Sequence, residues 1–426
     1  MEHLAIWQEV NVTALIADDG RADRDTFDGA GCALDVDDVT DNHRIGAVVK
    51  RLRELSRQPA RSIPGEDENP AIEVGDVLLT QRDVAVQVAH ALAMSVLGGR
   101  PVPRMPSAAA YESYLRGRFL RQQVTYASLA RARESFEDAI ARDPAYAAAY
   151  AGVADVYHVL GGPGWEFGPP RELLPRALEA AGRAIALDPE LPDGYAVRGM
   201  SRLWLHWDRK GAEEDLHRAV DLNPSFAQAH QYLSTVLTVQ GRMSEAIAAS
   251  QRAAQLDPLS PISTTTVGYR FYYAGHHEEA LRAFGRALEI APDFASALLG
   301  QAQVLRALGR AEEALAAVER AVPFAGGRSY VQAHLAYAQA AAGRHADARR
   351  TAAALEAEAR RTYVSPFHLA LSSAALEDRA GVRTHLARAF EDRSGWMLFV
   401  PLEREFAPFT ADLAALLAQV APRPSP

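Results

Sequence analysis

The sequence predicts an all-α protein, a right-handed solenoid of helix–turn–helix repeats behind a small irregular N-terminal region. One phrase recurs along it: AIARDPAY, AIALDPEL, AVDLNPSF, AAQLDPLS and ALEIAPDF. Its prolines are Pro144, Pro189, Pro224, Pro258 and Pro292, spaced 45, 35, 34 and 34 residues apart. Between successive phrases lie two apolar stretches at helical spacing, parted by a glycine. A fixed period of this length marks units that bury their apolar faces only by stacking on neighbours.

Residues 227–258 show how one unit is built. The first helix carries Leu233, Ser234 and Leu237 on one face. Gly241 ends it, because glycine tolerates the left-handed conformation of a helix C-cap. The second helix carries Ala246, Ile247, Ala253 and Leu256. Small residues at Ser234, Ala246 and Ala253 let the two backbones approach, and Pro258, which has no N–H, cannot continue the helix. The next units repeat the pattern with Gly268, Phe271, Gly275, Ala280, Phe284 and Ala287, then with Ala302, Gly309 and Ala314, then with Ala336, Gly343 and Ala348. A weaker unit at Ala370, Leu386 and Ala389 has Glu377 in place of the turn glycine. Upstream, Gly117, Ala132 and Phe136 mark a first unit, and Ala154, Tyr157, Gly161 and Ala177 a second. About eight units run from 109 to 392.

Two units are modified. The second carries GGPGWEFGPP (161–170), which accounts for its longer spacing and reads as a loop. Trp165 and Phe167 within it either meet a partner or fold back on the array. The third has one extra residue near Trp204, His206 and Trp207, which implies a distorted turn.

The period and the small–large pattern resemble the tetratricopeptide repeat (TPR) family over about two thirds of the chain. A narrower resemblance rests on 109–119, 145–157, 256–281, 360–376 and SGWMLFVPLEREFAPF (394–409). These stretches are similar to the C-terminal sensor regions of bacterial signalling and transcriptional regulators with TolB-like or winged-helix N-terminal domains. The resemblance implies a partner-binding module in signalling or transcription. An alternative is the sensor part of an enzyme or DNA-binding regulator whose output domain is degenerate in 1–100 or lies on another chain. No winged helix, kinase glycine loop or cyclase metal pattern is legible in 1–70. The segment 75–92 is similar to the helix that ends a TolB-like domain.

The flanks complete the expected organisation: an irregular region at 1–70, a helix and linker at 71–108, the array at 109–392, and a cap and tail at 393–426. In the first, IGAVVKRLRELSR (45–57) has Val48, Leu52 and Leu55 on one helical face. Near 410–420 a short helix is expected to close the last repeat, followed by a disordered PRPSP tail.

Composition excludes some functions. With 48% hydrophobic and 23% charged residues the chain is of the folded, soluble type. A net charge of −9, without runs of Lys or Arg, disfavours direct nucleic-acid binding. The apolar run Val84–Leu97 is too short to span a bilayer, and no signal peptide is evident at MEHLAIWQEV. A single cysteine, Cys32, allows no internal disulfide, which fits a reduced, cytoplasmic setting.

No catalytic, cofactor or metal constellation stands out. Asp35, Asp37, Asp38 and Asp41 would need Gly at the sixth position of a calcium loop and Glu at the twelfth; Thr40 and Gly46 stand there. His276 and His277, followed by Glu278 and Glu279, read as helix capping. The chain is therefore expected to act by binding a protein or peptide, not as an enzyme.

In TPR arrays the first helix of each unit lines the concave surface. By that resemblance the groove residues are Trp204 (with Met200 and Leu203), Gln231 and Thr235 (with Gln228 and Thr238), Tyr269, Tyr272 and Tyr273 (with Thr265), Gln303, Arg306 and Tyr337 (with Tyr330). Aromatics with polar tips suit interfaces, which singles out Tyr269, Tyr272 and Tyr273. A carboxylate clamp needs Lys and Asn at such positions. Gln231, Thr235 and Gln303 do not supply it.

Overall fold

The computed structural model describes residues 106–324 and 328–420. The readings of Cys32, the acidic run at 35–41, the helices at 45–57 and 75–92, the front linker and the final tail lie outside the described residues.

Among the described residues, sixteen helices form eight antiparallel pairs. They are α1 (Ala108–Gln122) with α2 (Tyr126–Arg142), α3 (Ala147–Gly161) with α4 (Pro170–Leu187), and α5 (Pro192–His206) with α6 (Arg209–Leu222). Next come α7 (Ala227–Val239) with α8 (Met243–Leu256), α9 (Pro261–Tyr273) with α10 (His277–Ile290), and α11 (Ala295–Ala307) with α12 (Ala311–Ala321). The last two pairs are α13 (Ser329–Ala341) with α14 (His345–Ala359), and α15 (Pro366–Ala375) with α16 (Arg379–Glu391). A seventeenth helix, α17 (Thr410–Val420), packs on α16. No strand occurs among the described residues. Each helix packs on the next, and each odd-numbered helix of the array also touches the next odd-numbered one, so the odd helices form one continuous face.

Turn chemistry fixes the pairing. Gly241, Gly275, Gly309 and Gly343 have φ of +80°, +80°, +76° and +75°. At each, the following N–H reaches back to a carbonyl of the helix just ended, as in Arg242 N–H to Leu237 O at 2.9 Å and Arg310 N–H to Leu305 O at 2.9 Å. Glu377 holds the same geometry at φ +57°, with Asp378 N–H on Ser373 O at 3.0 Å. The modified third pair turns through Trp207, also left-handed at φ +54°. In the first five pairs the second helix stops before a proline, whose ring pushes the preceding residue out of the helical region. Asp143, Asp188 and Ala291 accordingly sit at φ −145°, −142° and −140°.

Two rings show why the pattern alternates small and large. Phe136 lies where Cβ atoms on Gly117 and Gly152 would come within 2.7 and 2.6 Å of it. Phe284 stands in the same relation to Gly268, at 2.6 Å, and to Gly300, closer still. Both rings are buried, each wedged between two successive odd helices.

After α16 the chain does not simply end the stack. Residues 394–409 form two short 3₁₀ turns, Gly395–Leu398 and Arg404–Phe409, and lie across the face of the odd helices. Met397, Leu398, Phe399, Phe406 and Phe409 are buried in a core shared with α5 and α15. α17 then reaches the third pair, where Arg209 donates to Val420 O at 2.8 Å. The C-terminal segment thus ties the last pair back to the second and third.

Candidate binding groove

The odd helices supply one wall of the groove and residues 394–409 the other. Trp204 is buried with its ring 6.3 Å from Phe399, and Tyr330 stacks on Trp396 at 5.4 Å. The Tyr273 hydroxyl donates to Glu403 at 2.8 Å, and Gln303 donates to the other oxygen of the same carboxylate at 3.3 Å. Arg306 pairs with Glu405, both side chains almost fully buried, and its guanidinium lies 5.0 Å from the centre of the Tyr337 ring. Trp204, Tyr273, Gln303, Arg306 and Tyr337 are therefore brought to one region, and its immediate occupant is the chain itself.

The three tyrosines part company. Tyr269 donates to Ser296 O at 3.1 Å and meets Phe284 edge-on at 5.2 Å. Tyr272 is 5% exposed and packs with Ala280, Phe284 and Ala287 of α10. Only Tyr273 reaches across to 394–409 directly. Met200 and Leu203 are core residues at 2% and 0% exposure.

Beside the segment the groove remains open as a cavity of about 800 Å³. Gln231, Thr235, Thr265, Tyr269 and Tyr273 line it, as do Arg121, Asp155 and His158 from the first two pairs. Arg121 and Asp155 neutralise each other through two hydrogen bonds, at 2.5 and 3.3 Å. Burial pushes His158 down to about 4, so its ring is neutral near pH 7. It lies 3.4 Å from the Ser201 hydroxyl.

Sequence reasoning passed over the other charged groups. Arg270 is buried on α9, with Nη1 donating to Thr238 Oγ1 at 2.9 Å and Nη2 to Thr235 Oγ1 at 3.0 Å. Glu166, in the loop of the second pair, is buried and accepts from Ser394 at 2.7 Å. Burial raises it to about 7. Glu403 is raised as well, first by burial and then by the charge of Glu405. The one signal for these groups in the sequence is that charges interrupt otherwise apolar or uncharged stretches, as Arg270 does in TTTVGYRFYY and Glu403 in VPLEREF. In the same loop Trp165 stacks near Phe167, and Arg328 lies 4.5 Å over its ring. Among the described residues no three His, Cys, Asp or Glu side chains converge as a metal site, and no helix is long and apolar enough to cross a membrane.

The tetratricopeptide repeat family model matches residues 208–261 and 268–330. Over those residues the repeats are of the tetratricopeptide type. Several solved structures similar to the chain are TPR proteins. A thermophilic TPR protein of Thermus thermophilus is 22% identical over 46% of this chain and 100% of that one, with a TM-score of 0.40. A TPR protein from Parabacteroides merdae ATCC 43184 is 15% identical over 62% and 98% of the two chains, with a TM-score of 0.43. YrrB, described as a TPR protein with an unusual peptide-binding site, is 25% identical over 44% and 90%, with a TM-score of 0.29. No curated protein matches the chain significantly. In TPR terms, the first helices of repeats three to seven carry all the groove residues expected from the sequence.

Proposed function

We propose that this TPR array is an interaction module whose concave groove binds a peptide or protein segment, in a bacterial signalling or transcription setting. The observation that carries the binding mode is the chain's own segment 394–409. The groove holds it through buried aromatic contacts and through polar contacts from Tyr273, Gln303 and Arg306. These are the elements by which interfaces hold peptides: aromatic anchors, with a few directed hydrogen bonds. The unfilled cavity next to the segment is where a further chain would enter. The signalling setting is supported by the five stretches that resemble regulator sensor regions, of which 394–409 is one.

Peptide display on the full chain tests the binding mode. Selected peptides are expected to bind wild type and to lose at least tenfold in affinity for Gln231→Trp, which fills part of the cavity. Equal affinity for that variant would place binding elsewhere.

A further inference from the structure

We propose that the cavity beside the C-terminal segment is a binding site for an organic carboxylate, with Arg270 as its receptor. The inference concerns the ligand's chemistry and stands whether or not the groove also takes a peptide.

Arg270 is 6% exposed and lines the cavity. Among the described residues its hydrogen bonds go to two neutral hydroxyls. Those hydroxyls spend their own protons on the backbone, Thr235 on Gln231 O and Thr238 on Ser234 O. They therefore hold the guanidinium in place as acceptors without neutralising it. No carboxylate among the described residues pairs with Arg270, whereas Arg121, Arg198 and Arg306 each have one. The Arg270 Nε–H is buried with no acceptor, and on the same helix the buried Thr265 hydroxyl, also lining the cavity, has no partner. A buried cation with an unspent donor is costly unless an anion completes it.

The surroundings narrow the class. A planar guanidinium edge with an unspent N–H matches a carboxylate. The ring faces of Tyr269, Tyr273 and Phe399 on the same cavity suit an apolar or aromatic body. The carboxylate could belong to a small acid or to the C-terminus of a peptide. Neither is a Lys–Asn carboxylate clamp, since the receptor is a single arginine anchored by two threonines of the preceding repeat.

The test is calorimetric titration of the full chain with four probes. These are 1-naphthaleneacetate, its primary amide, a hexapeptide ending in a free Phe carboxylate, and the same peptide amidated. At least a tenfold preference for the free acid in either pair is expected, and the pair that shows it identifies the source. That preference is measured on wild type and so does not depend on a variant folding. Arg270→Gln is then expected to abolish the preference, and Arg270→Lys to retain part of it, with circular dichroism confirming the fold of each. Equal binding of acid and amide in both pairs, or an undiminished acid preference in folded Arg270→Gln, would overturn the assignment.

Discussion

Substituting Arg306 by Ala tests whether 394–409 is latched into the groove. The Arg306 and Glu405 side chains are 7% and 4% exposed, so the pair has little water to fall back on. Removing one member of a buried pair strands the other charge and typically costs about 3–5 kcal/mol. The pair is also incompletely satisfied, since Arg306 Nη1 and Glu405 Oε2 have no partner among the described residues. Replacing both residues by Met should therefore cost much less than the single change, because apolar pairs of similar volume often match buried ion pairs. The cost falls on the segment, which touches the odd helices but is not needed for their pairwise stacking. Hydrogen exchange of the amides in 395–409 is the assay. Arg306→Ala should speed it by about 10²–10⁴-fold, since each 1.4 kcal/mol is tenfold, while α3 exchanges as before. Unchanged exchange in the single variant, or a double Met variant looser than the single, would refute the latch.

Five further outcomes are expected. Gly268→Leu should lower stability by about 1–3 kcal/mol, because even a Cβ there meets Phe284 at 2.6 Å. Gly309→Leu should cost about 1 kcal/mol from its φ of +76° alone, as nothing lies within 4 Å, and parallel thermal melts compare the two. Changing Tyr269, Tyr272 and Tyr273 together to Ala should melt the array early, since Tyr272 is core and Tyr269 bridges to the next repeat. At least about 3 kcal/mol is expected from urea unfolding. Glu166 and Glu403 have raised folded-state values, near 7 and near 8, so the folded chain holds more protons than the unfolded one. Their contribution to docking is full below about 4.5 and is lost as pH rises through 7 to 8. Less urea should therefore release the segment at pH 8.5 than at pH 5.5, read from tryptophan fluorescence, and the reverse order would contradict the assignment. Finally, a fragment beginning at Met105 should fold alone with helical circular dichroism per residue undiminished, because repeats draw their stability from neighbours.

Local rules wrote the array into the sequence. The period, the left-handed glycines, the prolines and the small–large alternation each act within one unit or between adjacent ones. Close-approach positions such as Gly268 could therefore be placed from spacing alone. The first-helix groove positions were legible only through the resemblance to TPR arrays, and Met200, Leu203 and Tyr272 among them lie in the core. What covers the groove was not legible. Glu403 lies 130 residues from Tyr273 and 100 from Gln303, and Ser394 lies 228 from Glu166. No periodicity links such partners. The curvature accumulated over eight repeats decides whether the C-terminal segment reaches the groove, and the segment itself has no repeat pattern to read. The sequence likewise shows Arg270 only as an arginine beside three tyrosines. That it is buried, held by two threonines of the preceding repeat and left without a carboxylate is decided by how α9 packs on α7, since burial and the absence of a counter-charge are properties of the packed structure.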